Sequence, residues 1–127
     1  MGLIKSFFTW WDGPTWGTRL FTRLHGEEVG RDAMGNIYFR TSDGARRWVI
    51  YAGENEASAI SSEWYRWLHK STDLLPEEEG LPVRLWEKPR TPNLTGTPHA
   101  YARPGALQAG GQREAATGDY EAWRPEQ

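Results

Sequence analysis

The chain lacks cysteine altogether, and this absence excludes several kinds of site. None of its 127 residues carries a thiol, so no disulfide, thiolate metal ligand or cysteine-bound iron–sulfur cluster can form. It also lacks a long apolar run, so no segment is predicted to cross a membrane. Its 15 Lys and Arg against 17 Asp and Glu give a formal net charge of −2. That balance provides no basic footprint for nucleic acid.

The short motifs that carry chemistry are also missing. The sequence has no G-x-S-x-G, P-loop or dinucleotide-binding fingerprint. Its histidines, His25, His69 and His99, have no His or Cys at helical spacing, which disfavours a metal site. The run Glu77–Glu79 is typical of a solvated turn rather than of an acid/base pair. We therefore expect no catalytic residue, no cofactor-binding residue and no metal ligand, and an enzyme is the least favoured class.

What the chain does have is tryptophan. Eight Trp, five Tyr and four Phe occur in a sequence that is only 38% hydrophobic. Trp and Tyr are the residues enriched in the anchors of protein interfaces. The composition therefore favours a small protein whose aromatics partly cover something else.

Residues 1–25 are predicted to form an N-terminal helical segment. Leu3, Ile4, Phe7, Phe8 and Trp11 fall on one helical face. Thr15 is placed to cap a second short helix. The apolar cluster would be exposed in a monomer, so it could lie on a partner or in the membrane interface; its members are Phe7, Phe8, Trp10 and Trp11.

Residues 26–75 are predicted to fold as a β-meander followed by a helix. Strands are expected at 28–31, 37–40 and 45–51, with Gly35 and Asn36 as candidates for positive φ in the first turn. A helix near 61–70, capped by Ser61 or Ser58, would pack a Trp64–Trp67 stripe on the sheet. Three strands are near the lower limit of stability, so the sheet needs a helix on one face.

Residues 76–127 are predicted to be an extended partner-binding tail. This stretch holds seven of the eight prolines and six of the 14 glycines, and no helix or central strand is expected to survive that spacing. Its aromatics are spaced as anchors on a partner would be; the aromatics singled out are Trp86, Tyr101 and Trp123. The predicted fold class is α+β, with a small three-stranded antiparallel meander, one packed helix, short N-terminal helices and this long tail.

Basic residues meet aromatics at Arg46-Arg47-Trp48 and around Trp64 and Trp67. An aromatic sheet with arginines could stack single-stranded nucleic acid. The alternative is structural, with the tryptophans in the core and the arginines at a surface or interface. The acidic balance favours the second interpretation, so nucleic acid is not an expected partner.

Five sequence blocks together resemble a known family. They are GEEVGRD (26–32), GNIYF (35–39), RRWVIY (46–51), EWYRWLH (63–69) and PNLTGTP (92–98). In this order, from about Gly17 to Tyr101, they resemble the alpha-subcomplex subunit twelve family of accessory subunits of respiratory complex I (NADH:ubiquinone oxidoreductase). Tyr65 stands where the family usually has His, and Phe39 where Tyr is common.

The resemblance implies a non-catalytic accessory subunit without a redox cofactor. It would bind the iron–sulfur and quinone-module subunits of the peripheral arm, on the cytoplasmic side of a bacterial inner membrane. A matrix-side mitochondrial location and the paralogous assembly-factor branch are the alternatives. We predict one partner-binding set that joins the arginine and tryptophan positions to the tail: Arg46, Arg47, Trp48, Trp64, Trp67, Trp86, Asn93, Thr95, Tyr101 and Trp123.

Overall fold

The computed structural model describes residues 3–9, 11 and 13–125. The chain divides into two compact units, Met1–Asn93 and Leu94–Gln127. The helices are α1 (Leu3–Phe8), α2 (Trp16–His25), α3 (Ser62–Leu68) and α4 (Pro76–Glu79), and the strands are β1 (Glu27–Arg31), β2 (Ile37–Arg40) and β3 (Arg47–Ile50). Short 3-10 turns occur at Ala57–Ala59 and Leu107–Ala109. Among the described residues, no helix is long and apolar enough to cross a bilayer.

The three strands form one antiparallel sheet in the order β1-β2-β3. Phe39 lies opposite Trp48 and Tyr38 lies opposite Val49, while a bulge interrupts β1 between Glu28 and Gly30. Opposed residues of an antiparallel pair point to the same face of the sheet, and successive residues point to opposite faces. The predicted α+β meander is confirmed.

Aromatic rings form the core between the sheet and α3. Tyr38 stacks on Trp64 with ring centroids 4.0 Å apart and planes 5° apart. Trp67 meets Trp64 edge-on at 5.5 Å, and Ile60 is buried with them. Trp64 also lies flat against Gly30, where an added Cβ would be only 2.7 Å from the indole ring. The predicted packing of the Trp64–Trp67 stripe is therefore confirmed, and Gly30 provides the room for it.

A second helix packs on the opposite face of the sheet, although only one covered face was expected. Phe21 of α2 contacts Trp48 at 5.5 Å between centroids. The Trp48 indole N–H donates to Thr22 Oγ1 at 3.0 Å, and Thr22 is buried. The start of α2 agrees with the sequence, since the Thr15 hydroxyl accepts from the Thr18 N–H at 3.2 Å. The meander is thus covered on both faces.

A buried asparagine joins three segments of the first unit. Asn36 is 2% exposed; its side chain donates to Asp32 Oδ2 (2.9 Å) and to the Ala59 carbonyl (3.1 Å), and it accepts from the Ala52 N–H (3.0 Å). The Tyr38 hydroxyl donates to the same Asp32 oxygen at 2.8 Å. The expectation of positive φ at Asn36 is wrong, because Gly35 alone takes that conformation in this turn, with φ of 87°. Asn36 instead uses its amide as a cross-link.

Two predictions about helix positions need correction. Ser61 lies at the N-cap of α3, but its side chain makes no capping bond, and the Ser58 hydroxyl accepts from the Asn93 N–H instead. The expectation that no helix forms after residue 75 is also wrong. The single turn α4 begins at Pro76, because proline is tolerated in the first turn of a helix, where its missing N–H would be unpaired in any case.

The second unit is organised by short turns and one ion pair. Arg113 pairs with Asp119, whose Oδ2 also accepts from the Ala116 N–H at 2.7 Å. These bonds lower the pKa of the Asp119 carboxyl, with the Arg113 hydrogen bond as the main cause. The turn 113–119 therefore has a defined conformation although it lacks a hydrophobic core.

Replacing Asn36 should destabilise the fold markedly. Asn36→Ala removes a buried amide and leaves the Ala52 N–H and the Ala59 C=O without their partner, so we expect a loss of about 2–4 kcal/mol in the free energy of unfolding. Urea denaturation followed by tryptophan fluorescence measures it. Asn55→Ala is the matched control, because Asn55 is exposed and, among the described residues, its side chain makes a single long bond of 3.5 Å, to the Gly13 carbonyl. Equal urea midpoints for Asn36→Ala and Asn55→Ala would contradict the role of the Asn36 amide as a cross-link.

The ionisation of Tyr38 should make the fold sensitive to alkali. Burial, reinforced by the hydrogen bond to Asp32, raises the pKa of Tyr38 far above its ordinary value. The unfolded chain therefore releases this proton first, and stability present below about pH 10 is lost as pH rises above it, by up to about 1.4 kcal/mol per pH unit. Burial raises the pKa of Tyr51 too, so part of the slope remains in a Tyr38→Phe variant. Unfolding free energies of that variant at pH 8 to 11 should fall less steeply than those of the parent, and parallel slopes would refute the assignment.

Candidate partner-binding surface

The two adjacent arginines of the predicted set have different environments. Arg47 lies against α3: its Nη1 donates to the carbonyls of Trp67 (2.7 Å) and Thr72 (3.0 Å), and its guanidinium sits 4.9 Å from the Trp67 ring centroid. An ion pair with Asp73 completes its contacts. Arg46 points to the other face, is exposed, and lies 5.7 Å above the Phe21 ring. Arg47 therefore fastens the end of α3 to β3, while Arg46 is available at the surface.

The tryptophans of the folded part lie mostly inside it. Trp64 and Trp67 are 6% and 1% exposed. Trp48 is half-buried on the α2 face, stacked on Phe39 at 6.0 Å between centroids. The structure places all three as packing residues, and they present little ring surface to a partner.

The tail aromatics show the opposite behaviour. Trp86, Tyr101 and Trp123 are 80%, 87% and 81% exposed. Apolar neighbours in the same stretch are exposed as well, including Leu85, Leu107 and Tyr120. These side chains are spread along the sequence, so residues 81–125 present a series of exposed apolar side chains.

The start of the tail is held on the folded part by polar contacts. Arg90 donates through its guanidinium to the Ser58 carbonyl, with Nε at 3.1 Å, and the Asn93 N–H donates to Ser58 Oγ at 2.8 Å. Arg90 was not a predicted site residue, because nothing in the sequence links it to a serine 32 positions away. Asn93 and Thr95 are both exposed.

Phe7 and Phe8 lie at the end of the short helix α1, and Trp11 follows it. Phe7, Phe8 and Trp11 are 70%, 75% and 63% exposed, and Phe7 contacts Trp16 with centroids 6.3 Å apart. Trp10, the fourth member of the predicted cluster, lies outside the described residues. The described part of the cluster is therefore continuous with the start of α2.

The titratable side chains that are described do not converge on a reactive centre. No group of three His, Asp or Glu in this part of the chain could hold a metal ion. His69 stacks on Tyr65 at 4.0 Å and His25 on Phe21 at 4.9 Å, so each contacts a ring of its own helix.

Substituting Arg47 should weaken the fold more than substituting Arg46. Arg47→Lys keeps the charge but loses the planar fork that reaches two carbonyls and covers an indole ring. We expect a loss of about 1–3 kcal/mol in unfolding free energy, against a few tenths of a kcal/mol for the exposed control Arg46→Lys. Thermal denaturation of both variants measures the difference, and equal melting temperatures would exclude this role for Arg47.

Comparisons of the chain with a family profile and with individual proteins point to the same family. The profile of a family described as "NADH ubiquinone oxidoreductase subunit NDUFA12" matches residues 26–125. A Dictyostelium discoideum protein is 36% identical over 88 residues, covering 65% of this chain and 63% of that protein. A Bos taurus protein is 37% identical over 90 residues, covering 60% and 61%. A Mus musculus protein is 34% identical over 101 residues, covering 65% and 69%.

All three relatives carry the name NADH dehydrogenase (ubiquinone) 1 alpha subcomplex subunit 12. The matches span a little under two thirds of the length of the first two. The family profile itself covers the sheet, α3 and nearly all of the tail. By this match the chain belongs to the NDUFA12 family.

Proposed function

We propose that the chain is a non-catalytic accessory subunit that stabilises the peripheral, quinone-module arm of respiratory complex I and thereby supports electron transfer from NADH to quinone. The observation that carries the proposal is the family match over residues 26–125. The names of the relatives, which are subunits of an NADH dehydrogenase, point to the same complex. Its partners would be the neighbouring iron–sulfur and quinone-module subunits.

The proposed mechanism is burial of the tail on those neighbours. Trp86, Tyr101 and Trp123 are more than three quarters exposed in the chain alone. Covering large aromatic side chains is the strongest single contribution that an interface residue makes. It would offset the entropy lost when an extended segment is ordered on a partner. The proline-rich stretch 76–127 is thus proposed as the partner-binding segment, with Arg46 as a polar contact from the sheet.

The proposed location follows from the complex. The chain would be held at the inner membrane peripherally, through the other subunits, on the cytoplasmic side in a bacterium or on the matrix side in a mitochondrion. Phe7, Phe8 and Trp11, all exposed, are proposed to lie on a neighbouring subunit or at the membrane interface.

The tail is proposed to act as a clamp, that is, to hold the chain on its partner subunits by burying aromatic side chains. This role is tested by removing those side chains from the full chain. In cells whose own copy is deleted, a tagged triple variant, Trp86→Ala with Tyr101→Ala and Trp123→Ala, should be recovered with complex I at least about tenfold less than the parent. The fold should persist, because none of the three side chains is buried. Native gels stained for NADH oxidation measure the incorporated fraction.

The matched control changes three exposed polar residues of the same stretch, Gln112, Glu114 and Glu121, to alanine. It should incorporate like the parent. Equal recovery of the two triple variants would contradict the clamp. Recovery of the parent chain only with incomplete assemblies would instead indicate the role of an assembly factor.

A further inference from the structure

One edge of the sheet is open along β3. In the order β1-β2-β3, this strand has a neighbour on one side only. The Thr41 N–H donates to the Arg46 carbonyl at 3.0 Å, so Thr41 and Arg46 form a hydrogen-bonded pair. Along an antiparallel ladder, hydrogen-bonded pairs alternate with pairs whose backbone groups do not bond to each other. Trp48 and Ile50 therefore bond to β2, while the backbone N–H and C=O groups of Arg47 and Val49 point away from the sheet.

Two contacts outside the strand confirm this alternation. The Ala45 carbonyl, two residues before Arg47, accepts from Lys70 Nζ at 2.6 Å on the outer side of the strand. The Ala52 N–H, two residues after Ile50, donates inward to Asn36. Among the described residues, the backbone N–H and C=O of Val49 have no hydrogen-bond partner in the turns and loops around β3. The open edge thus begins just after the carbonyl that Lys70 covers.

A cleft follows this open edge. Its volume is about 610 Å³, with Thr18 and Phe21 of α2 on one side, Leu68 and Lys70 on the other, and β3 as the floor. A second cleft of about 450 Å³ continues past Val49 toward Thr15. A strand rises about 3.3 Å per residue, and four to six residues are an ordinary strand length. The space fits a short extended segment lying beside β3.

Charge and polarity specify what this segment should carry. Arg46 is exposed on the α2 face, and no carboxylate among the described residues pairs with it. Val49 and Leu68, both half-buried, offer an apolar contact on the α3 face. Residues directly opposite on neighbouring strands share a face. An added antiparallel strand would therefore meet Val49 and Trp48 with apolar side chains and meet Arg46 with an acidic one.

We propose that the open edge of β3 binds an extended segment of a partner protein as a fourth, antiparallel strand, with two apolar residues followed two positions later by a carboxylate. Backbone bonds to Arg47 and Val49 would supply affinity, and the pairing with Arg46 would set register and specificity. This inference deepens the proposed function, which already assigns a partner contact to Arg46, by extending it from the tail to the edge of the sheet; the peptide titration can fail while the tail variants behave as predicted.

The test uses the purified full chain and a defined probe. The capped hexapeptide Thr-Val-Val-Thr-Glu-Thr places valines opposite Val49 and Trp48 and its glutamate opposite Arg46. Titrated into isotope-labelled chain, it should shift the backbone amides of Arg47 and Val49 more than those of α3. The same peptide with lysine in place of glutamate should bind at least about fivefold more weakly.

Two pairs of variants separate the backbone contact from the charge contact. Val49→Pro removes an outward N–H that β2 does not use, an edge position where proline is tolerated. It should weaken binding at least about fivefold, while Val49→Thr, which keeps the N–H and the branched shape, should change it less than twofold. Arg46→Glu should reverse the preference between the two peptides, and Arg23→Glu, on the exposed side of α2, should not.

Several results would overturn the inference. Equal affinity for the glutamate and lysine peptides, or shifts confined to residues away from β3, would exclude this segment chemistry. Absence of any shift at millimolar peptide would exclude the site. Self-association of the chain in sedimentation, abolished by Val49→Pro, would assign the edge to a second copy instead. If Val49→Pro fails to fold, the Arg46→Glu variant alone tests the inference: it should bind the lysine peptide more tightly than the glutamate peptide, and an unchanged preference would overturn the inference.

Discussion

The fold of the first unit depends on the buried amide of Asn36. Its three side-chain bonds hold the β1–β2 turn, the segment that follows β3 and the 3-10 turn that leads into α3. Asp32 accepts from both Asn36 and Tyr38, so the same node fixes the ring on which Trp64 stacks. A three-stranded sheet has few long-range contacts of its own, and a polar cross-link at the point where its loops meet makes the register of the whole meander specific.

Those elements whose signals are local could be predicted from the sequence. The hydroxyl of Thr15 caps α2, the β-branched and aromatic run at 37–39 marks β2, and the three-residue spacing of Trp64 and Trp67 marks the face of α3. Each depends on residues within one turn or one strand, where propensity and periodicity act directly. The single turn α4 also has a local signal, since its proline stands in the first turn, where proline is tolerated, but the spacing of the other prolines predicts no helix there.

The sequence could not predict the features that depend on contacts between residues far apart in the chain. Arg46 and Arg47 are identical in type and adjacent, yet strand alternation turns one toward Phe21 and the other toward the carbonyls at the end of α3. Nothing local says which face α3 will cover. The attachment of Arg90 to Ser58 likewise joins residues 32 apart. The sequence predicts a turn residue at Asn36 because asparagine favours turns. The cross-linking role of its amide depends on Ala52 and Ala59, which only the folded structure brings beside it.

The distribution of the aromatics explains why so polar a chain carries so many of them. Inside the first unit, Tyr38, Trp64 and Trp67 form a dry stack that large rings can build with few residues. Because these rings are closely packed, we expect their conformation to change little when a partner covers a nearby surface. The exposed rings of residues 81–125 are different, because they gain burial only from outside the chain. Under the proposed function, the compact first unit would set the orientation of the chain on its partners, and the entropy lost on association would fall mainly on the exposed tail.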